Sequence, residues 1–298
     1  MPGTEASGKT PGDLTRTRTT VALVANEEAG SNEAALCVER LRAFGAEVLR
    51  FDIDETEDAA ASGADRLVVA GGDGSIGPAA AAAGKAGIPL AVVPAGTAND
   101  FAGRLGLPDG LTAASRLAVH GTKLQSMELG WMNGERPFVN VASAGLPAPG
   151  AERAGGWKNR LGPLAYAAGA LSAGMTAKPI TCLVVCEGRE LLAGEAWQVT
   201  VAASGAFGAG ASIEEADPTD GVLEVVAIEA GSRVGLVSLA YHLRRGTLTN
   251  HARAYHAHCN DVEVQVPDCT RFNVDGEVVT VGDARFKAVK GAFRLVIG

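Results

Sequence analysis

Arg66-Leu67-Val68-Val69-Ala70 followed at once by Gly71-Gly72-Asp73-Gly74-Ser75 decides the fold. A run that is apolar at successive positions presents both faces to a core, as the central strand of a parallel sheet does. The glycines that end it allow a tight turn and a close approach of backbone to a ligand. Working outward, Val21 to Ala25, Ala46 to Ile53 and Pro89 to Val93 read as neighbouring strands. Between them, Ala34, Cys37, Val38, Leu41 and Phe44 share one helical face with Ser31 as N-cap and Gly45 as the stop. Asp54 to Ser62, Pro78 to Ala86 and Asn99 to Leu105 supply three more helices, the last closed by Gly106. The alternation predicts a doubly wound, mostly parallel α/β domain.

Beyond about Gly121 the texture changes to short β-type runs: Phe138 to Val141, Ile180 to Cys186, Trp197 to Ala202, Val222 to Ile228, Val262 to Val266 and Phe293 to Ile297. Helices are expected at Leu161 to Met175 and Arg233 to Arg245. The expected organisation is a mobile tail over 1–20, the α/β domain over 21–125, and a β-rich, sandwich-like domain over 126–298.

Two glycine patterns are decoys. Gly3 to Thr10 spells a phosphate loop letter for letter, but no strand precedes it and Pro11-Gly12 follows. Gly72-x-Gly74-x-x-Gly77 matches the dinucleotide fingerprint, yet the next strand ends Val93-Pro94-Ala95 where an acidic residue should hold the ribose. The same turn has another use: backbone N–H groups and the following helix N-terminus can face phosphate oxygens, with Ser75 adding a hydroxyl. Asp73 would repel phosphates unless a cation compensates, which points to metal-assisted phosphoryl transfer. A glycine turn with a capping Asp explains this motif taken alone. A second turn, Pro94-Ala95-Gly96-Thr97-Ala98-Asn99-Asp100-Phe101-Ala102, stands at the end of the next parallel strand and should face the first.

The pair of motifs, GGDG and then PxGTxNDFA, resembles the diacylglycerol kinase catalytic-domain family, which includes bacterial soluble lipid kinases and sphingosine and ceramide kinases. Further similar pieces occur at Phe138 to Gly145, at Lys158 with Leu161 to Tyr166, at Ala216 with Asp220 to Val225, and at Val274-Asp275-Gly276-Glu277. NAD kinases share the first motif and differ at the second. The resemblance implies an active site in the cleft between an α/β nucleotide domain and a sandwich-like domain. It implies ATP against Asn26 to Gly30, Gly71, Gly72, Asp73, Gly74, Ser75, Gly96, Thr97, Asn99 and Asp100. Glu277 is implied as proton acceptor with Asp275 its partner, roles that exchange or sharing with Asp73 leave open. Mg²⁺ is implied twice, on the ATP phosphates and at a loop matching Asp217, Asp220 and Val222; Glu128 is implied as a substrate-side carboxylate.

Three departures accompany the matches. The Asn-Glu usual after the glycine turn is Gly77-Pro78, an Asn-Pro near the first strand is Asn26-Glu27, and an Asn-Gly of the second domain is Ser204-Gly205. The reading is therefore an ATP-dependent kinase of a lipid hydroxyl, diacylglycerol-like acceptors first. Its alternatives are a catalytically weak nucleotide- or lipid-binding protein on this fold and a kinase of NAD or another soluble alcohol.

A net charge of −8 over 298 residues argues against nucleic-acid binding, which needs a basic face. Cys37, Cys182, Cys186, Cys259 and Cys269 form no CxxC pair and read as reduced thiols, with Cys182 and Cys186 facing the core from one strand. The longest uncharged stretches, Leu161 to Ala177 and Ala196 to Ile213, are interrupted by Gly and polar residues, so no transmembrane segment is expected. The expected setting is cytoplasmic with transient attachment to a membrane surface, through a patch such as Gly155-Gly156-Trp157-Lys158. A homodimer is compatible with the sequence. His256 and His258 alternate on a strand without a carboxylate cluster at ligand spacing, and read as structural or surface residues.

Overall fold

The structure, a computed structural model, describes residues 18–25, 31–146, 178–207, 211–213, 216–232 and 247–298, with 235, 236, 238, 242 and 245 between the last two. The α/β domain has four parallel strands, β1 (Thr20–Ala25), β2 (Glu47–Phe51), β3 (Arg66–Gly71) and β4 (Leu90–Pro94), in the spatial order β2-β1-β3-β4. The chain reverses its direction of travel across the sheet between β1 and β3. That crevice is where open α/β sheets bind ligands, and β3 delivers the glycine turn to it. Alternate residues of β1 serve opposite cores. Val21 and Leu23 pack with α1 (Ser31–Ala43) and α5 (Leu111–His120), whereas Ala22 and Val24 face α2 (Thr56–Ala61) and α3 (Asp73–Ala86). Burial on both faces is why β1, β3 and β4 are legible as unbroken apolar runs. At Gly45, φ is +90°, and the amides of Gly45 and Ala46 return to the carbonyls of Arg42 and Leu41, closing α1.

The second domain is antiparallel. Its axis is β9 (Arg189–Ala202), whose first half pairs with β8 (Ile180–Cys186). The second half of β9 lies between β7 (Val141–Gly145) and β12 (Leu223–Glu229). Beyond β7 lie β15 (Thr270–Val274) and β16 (Glu277–Val281), and β14 (Asp261–Gln265) continues from β8; β13 (Ala254–Cys259) pairs with β12 at an edge, and β10 (Ala206–Phe207) pairs with β11 (Ala211–Ser212) in a separate two-stranded ladder. The two domains share one continuous sheet. The last strand, β17 (Ala284–Ile297), runs antiparallel to β14 and β5 (Lys123–Met132), then sets Leu295 beside Leu90 in parallel pairing with β4. A strand common to both units fixes the two faces of the cleft relative to each other. No helix among the described residues is long and apolar enough to cross a membrane.

Several expectations need correction. The helix after the glycine turn starts at Asp73 and not at Pro78, so Asp73, Gly74 and Ser75 form its first turn, and Pro78 lies within it. Pro78 has no N–H to give the carbonyl of Gly74. Phe138 to Val141 is not one strand: β6 (Arg136–Phe138) and β7 are separated by a bend at Val139 and Asn140. Ala46 to Ile53 is shorter than expected as a strand, because Asp52 caps a 3-10 turn over Ile53–Glu55. Strands β5, β15 and β16 and helix α5 stand outside the expected elements. Residues 1–17, 26–30 and 147–177 carry the N-terminal decoy, Asn26, Gly30, Lys158, the Trp157 patch and the Leu161 to Met175 helix, and all of these lie outside the described residues.

Candidate active site

Glycines bring the two turns into contact. A Cβ at Gly96 would stand 2.5 Å from the Cα of Gly72, and one at Gly71 would be 2.8 Å from the Ser75 hydroxyl oxygen. The turns therefore touch backbone to backbone, tied further by the amide of Ala95 donating to the Gly71 carbonyl at 3.0 Å. Two further glycines, Gly74 of the first motif and Gly77 three residues after it, clear the way for the second domain. A Cβ at Gly74 would lie 2.9 Å from Oε1 of Glu277, and one at Gly77 would lie 2.7 Å from the carbonyl oxygen of Pro137. Gly77, one of the departures, is thus required by the approach of β6. Asn99 sits in the left-handed region at φ +53° and folds its amide back on Gly96, accepting from its N–H at 2.9 Å and donating to its carbonyl at 3.0 Å. Thr97 is exposed on this turn, and Ser75 is half-buried in the facing one.

Asp73 binds the two domains together. Its carboxylate accepts from the amides of Asp100 and Phe101 at 3.0 and 2.9 Å, capping helix α4 (Asp100–Arg104), and from Nδ2 of Asn140 at 3.0 Å. Asn140 in turn accepts from the Ser204 hydroxyl at 2.7 Å. The chain Asp73-Asn140-Ser204 crosses from the first glycine turn to the end of β9. Its members are 67 and 64 residues apart, so no local pattern announces it.

The Asp-Gly-Glu turn separates its two carboxyls sharply. Asp275, at φ +48°, is buried, and its oxygens accept from the amides of Val139 at 2.7 Å and of Asn140 and Val141 at 2.9 Å each. Burial pushes its carboxyl up to about 7 against these three donors, with the Asp73 charge adding to the rise. Glu277 is exposed and accepts from Arg136 Nη1 at 2.8 Å. Asp275 therefore shapes the bend, while Glu277 reaches the first turn of α3. Arg136 was missed; a cation two residues before the Phe138 motif is its only trace in the sequence. Phe138 seats the bend, lying flat on Gly130 and edge-on to Phe286.

Glu128 belongs to a different corner. It is 2% exposed, and Oε2 accepts from the amide of Gly221 at 2.6 Å, while Oε1 is buried without a partner. Burial raises its carboxyl to about 8, opposed by the Gly221 amide and reinforced by Asp220 and Asp217. Substrate carboxylate and metal loop, expected separately, thus meet at one place. Asp217 and Asp220 each turn one oxygen to their own loop, to Thr219 and to the amide of Val222. An orphaned buried oxygen beside two acidic residues fits a hard divalent cation. Among the described residues, Glu128, Asp217 and Asp220 do not gather three ligand atoms within 4.8 Å, so carbonyl and water oxygens would complete the shell.

The pH dependence follows. The folded value of Glu128 lies above its ordinary 4.5, so its contribution to stability is complete below about 4.5 and is lost as pH rises through about 8. Relative to Glu128→Gln, the parent protein should lose about 5 °C of Tm between pH 6 and pH 9, and millimolar Mg²⁺ should narrow the gap by favouring the ionised carboxyl. Thermal melts of both proteins across that range, with and without Mg²⁺, test this. A gap independent of pH refutes a neutral Glu128.

The structure brings Gly71, Gly72, Asp73, Gly74, Ser75, Gly96, Asn99, Asp100, Asp275 and Glu277 to the seam between the domains, and sets Glu128 with Asp217, Asp220 and Val222. A further correction concerns the histidines. Antiparallel pairing of β12 with β13 sets Glu224 opposite His258, so a carboxylate does stand beside His256 and His258.

Residues 20–132 match the family described as diacylglycerol kinase catalytic domain, and residues 140–297 the family described as YegS C-terminal NAD kinase beta sandwich-like domain. A Pseudomonas putida protein named "probable lipid kinase YegS-like" is 31% identical over 80% of this chain and 79% of its own. A Mycobacterium tuberculosis protein named diacylglycerol kinase is 26% identical over 87% of each chain. A solved structure titled as a diacylglycerol kinase from Bacillus anthracis superposes with a TM-score of 0.72 at 20% identity, over 95% of this chain and 99% of the other.

Proposed function

This chain belongs to the diacylglycerol kinase family of lipid kinases, and on that premise we propose that it transfers the γ-phosphoryl group of ATP to the hydroxyl of a diacylglycerol-like lipid. The observation that carries the proposal is the approach of the Glu277 carboxylate to Gly74 in the first turn of α3. An acid-base group from one domain there meets the helix N-terminus and glycine turn that phosphates favour in the other. The nucleotide lies along Gly71, Gly72, Asp73, Gly74 and Ser75, with Gly96, Thr97, Asn99 and Asp100 on the facing turn. Glu277 takes the proton of the lipid hydroxyl as its oxygen forms a bond to the γ-phosphorus; the bond to the bridging oxygen breaks and ADP leaves with that electron pair. Arg136 orients the Glu277 carboxylate. Asp275, through the bend at Val139 to Val141, and Asp73, through α4 and Asn140, position the two walls. Mg²⁺, when bound, neutralises phosphate charge; Glu128, Asp220, Asp217 and the carbonyl of Val222 would hold a second ion that braces the loop.

The test is phosphate transfer from labelled ATP with Mg²⁺ to diacylglycerol, monoacylglycerol, ceramide and a sphingoid base in mixed micelles, with NAD as the soluble acceptor. Labelled phosphatidic acid, formed faster than any other product, is the expected result. Label on NAD alone, or ATP bound without any labelled product, overturns the proposal in favour of a soluble acceptor or a binding role.

A further inference from the structure

Glu224, His256 and His258 lie apart from the catalytic seam, on β12 and the edge strand β13. Residues 256 and 258 have the same parity, so their side chains leave the same face of β13. The register places Glu224 directly opposite His258 and Val226 opposite His256, which makes the second histidine the diagonal neighbour of the carboxylate. Nε2 of His256 lies against Oε2 of Glu224, and Nδ1 of His258 stands 2.5 Å from Oε1. The two imidazole rings are 4.6 Å apart between centroids. One ligand-type atom from each of the three residues lies within 4.8 Å of the others.

Glu224 is 2% exposed, so its carboxylate is held out of water. A divalent cation suits the cluster, because each of the three residues offers it a lone pair and the carboxylate offsets half its charge. Tetrahedral ligands at zinc distances are separated by about 3.3 Å, so the carboxylate needs only a small outward swing to admit the ion.

We infer that Glu224, His256 and His258 form a zinc site. Two imidazoles and one carboxylate select a borderline first-row ion over the Mg²⁺ of the phosphoryl-transfer chemistry. Three protein ligands leave a fourth position, and the exposure of His258 opens it to solvent. The ion staples β13 to β12, and the residue after β13, Asn260, donates its side-chain amide to the carbonyl of Gly221 at 2.8 Å. Zinc at this edge therefore also anchors the strand end that holds the acidic loop.

The experiment uses the full chain with Cys269, the exposed thiol, replaced by Ser, stripped of metal with a chelator and titrated with zinc against a chromophoric competitor. Uptake of one equivalent with Kd at or below about 1 μM is expected, unaffected by millimolar Mg²⁺. Cobalt in place of zinc should give the visible absorption of a tetrahedral site. His258→Ala, at an exposed position that folding tolerates, should weaken zinc at least about 100-fold and abolish the cobalt spectrum. Zinc at a hundredfold excess over Kd should raise Tm by about 5 °C in the parent and not in the variant. His256→Asn provides a second variant, with circular dichroism confirming its fold. Failure of the parent to take up zinc, or equal uptake by both variants, overturns the inference. None of these readouts involves phosphate transfer, so the lipid-kinase proposal stands or falls separately.

Discussion

Glu277→Gln should lower kcat for lipid phosphorylation by about 10³-fold while leaving Tm within about 1 °C of the parent. The amide oxygen can still accept from Arg136, as the carboxylate does at 2.8 Å, so the side chain keeps its place beside Gly74. What is lost is the capacity to take a proton from the lipid hydroxyl. The ion pair with Arg136 is half exposed, and its removal costs little. Because the nucleotide contacts come from the two glycine turns, KM for ATP should change less than threefold, a bound of roughly 0.6 kcal/mol. Initial rates at varied ATP and lipid, with thermal melts of the same preparations, separate these quantities. A loss of kcat below about tenfold places the proton acceptor elsewhere, and Asp73 is the next carboxylate along the seam.

What the sequence makes legible depends on how far a signal reaches along the chain. Strands β1, β3 and β4 are readable because both faces are buried, so every residue reports the same environment. Strand β17 is readable only at its end. A bulge between Val289 and Phe293 interrupts its pairing with β5, and its first half alternates Ala284, Phe286 and Ala288 inward with Arg285 and Lys287 outward. The glycine motif is visible as a motif, but two of its causes are distant: Gly74 yields to Glu277 and Gly77 to Pro137. The same limit hid the partners of Asp73 and the carboxylate beside the histidines. Spacing along β13 holds no carboxylate for the histidines, because Glu224 arrives through the register of the neighbouring strand, 32 residues away from His256. Charge gave no hint of Arg136 either, since its partner Glu277 is 141 residues distant.

Asp275→Ala should lower Tm by about 10 °C, because the amides of Val139, Asn140 and Val141 then face a buried void without an acceptor. Each unmet donor costs about 1 to 3 kcal/mol, and three share one site, so about 4 kcal/mol is a conservative sum. Asp275→Asn should behave differently. Its single oxygen can serve two of the three amides, and its NH₂ group occupies the place that the O–H of a neutral Asp275 would take. The carboxyl is held near 7, above its ordinary 3.8. Its contribution is therefore complete below about 3.8 and is lost as pH rises through about 7. The Asn variant does not titrate there, so parent and variant should differ most at low pH and converge or cross above pH 7. Activity sharpens the distinction between positioning and proton transfer. If Asp275 acts only by holding the bend that seats Arg136 and Glu277, Asp275→Asn retains kcat within about tenfold of the parent while Glu277→Gln does not. An Asn variant as inactive as Glu277→Gln, and folded as well as the parent, would instead make the Asp275 carboxylate a participant in the proton transfer.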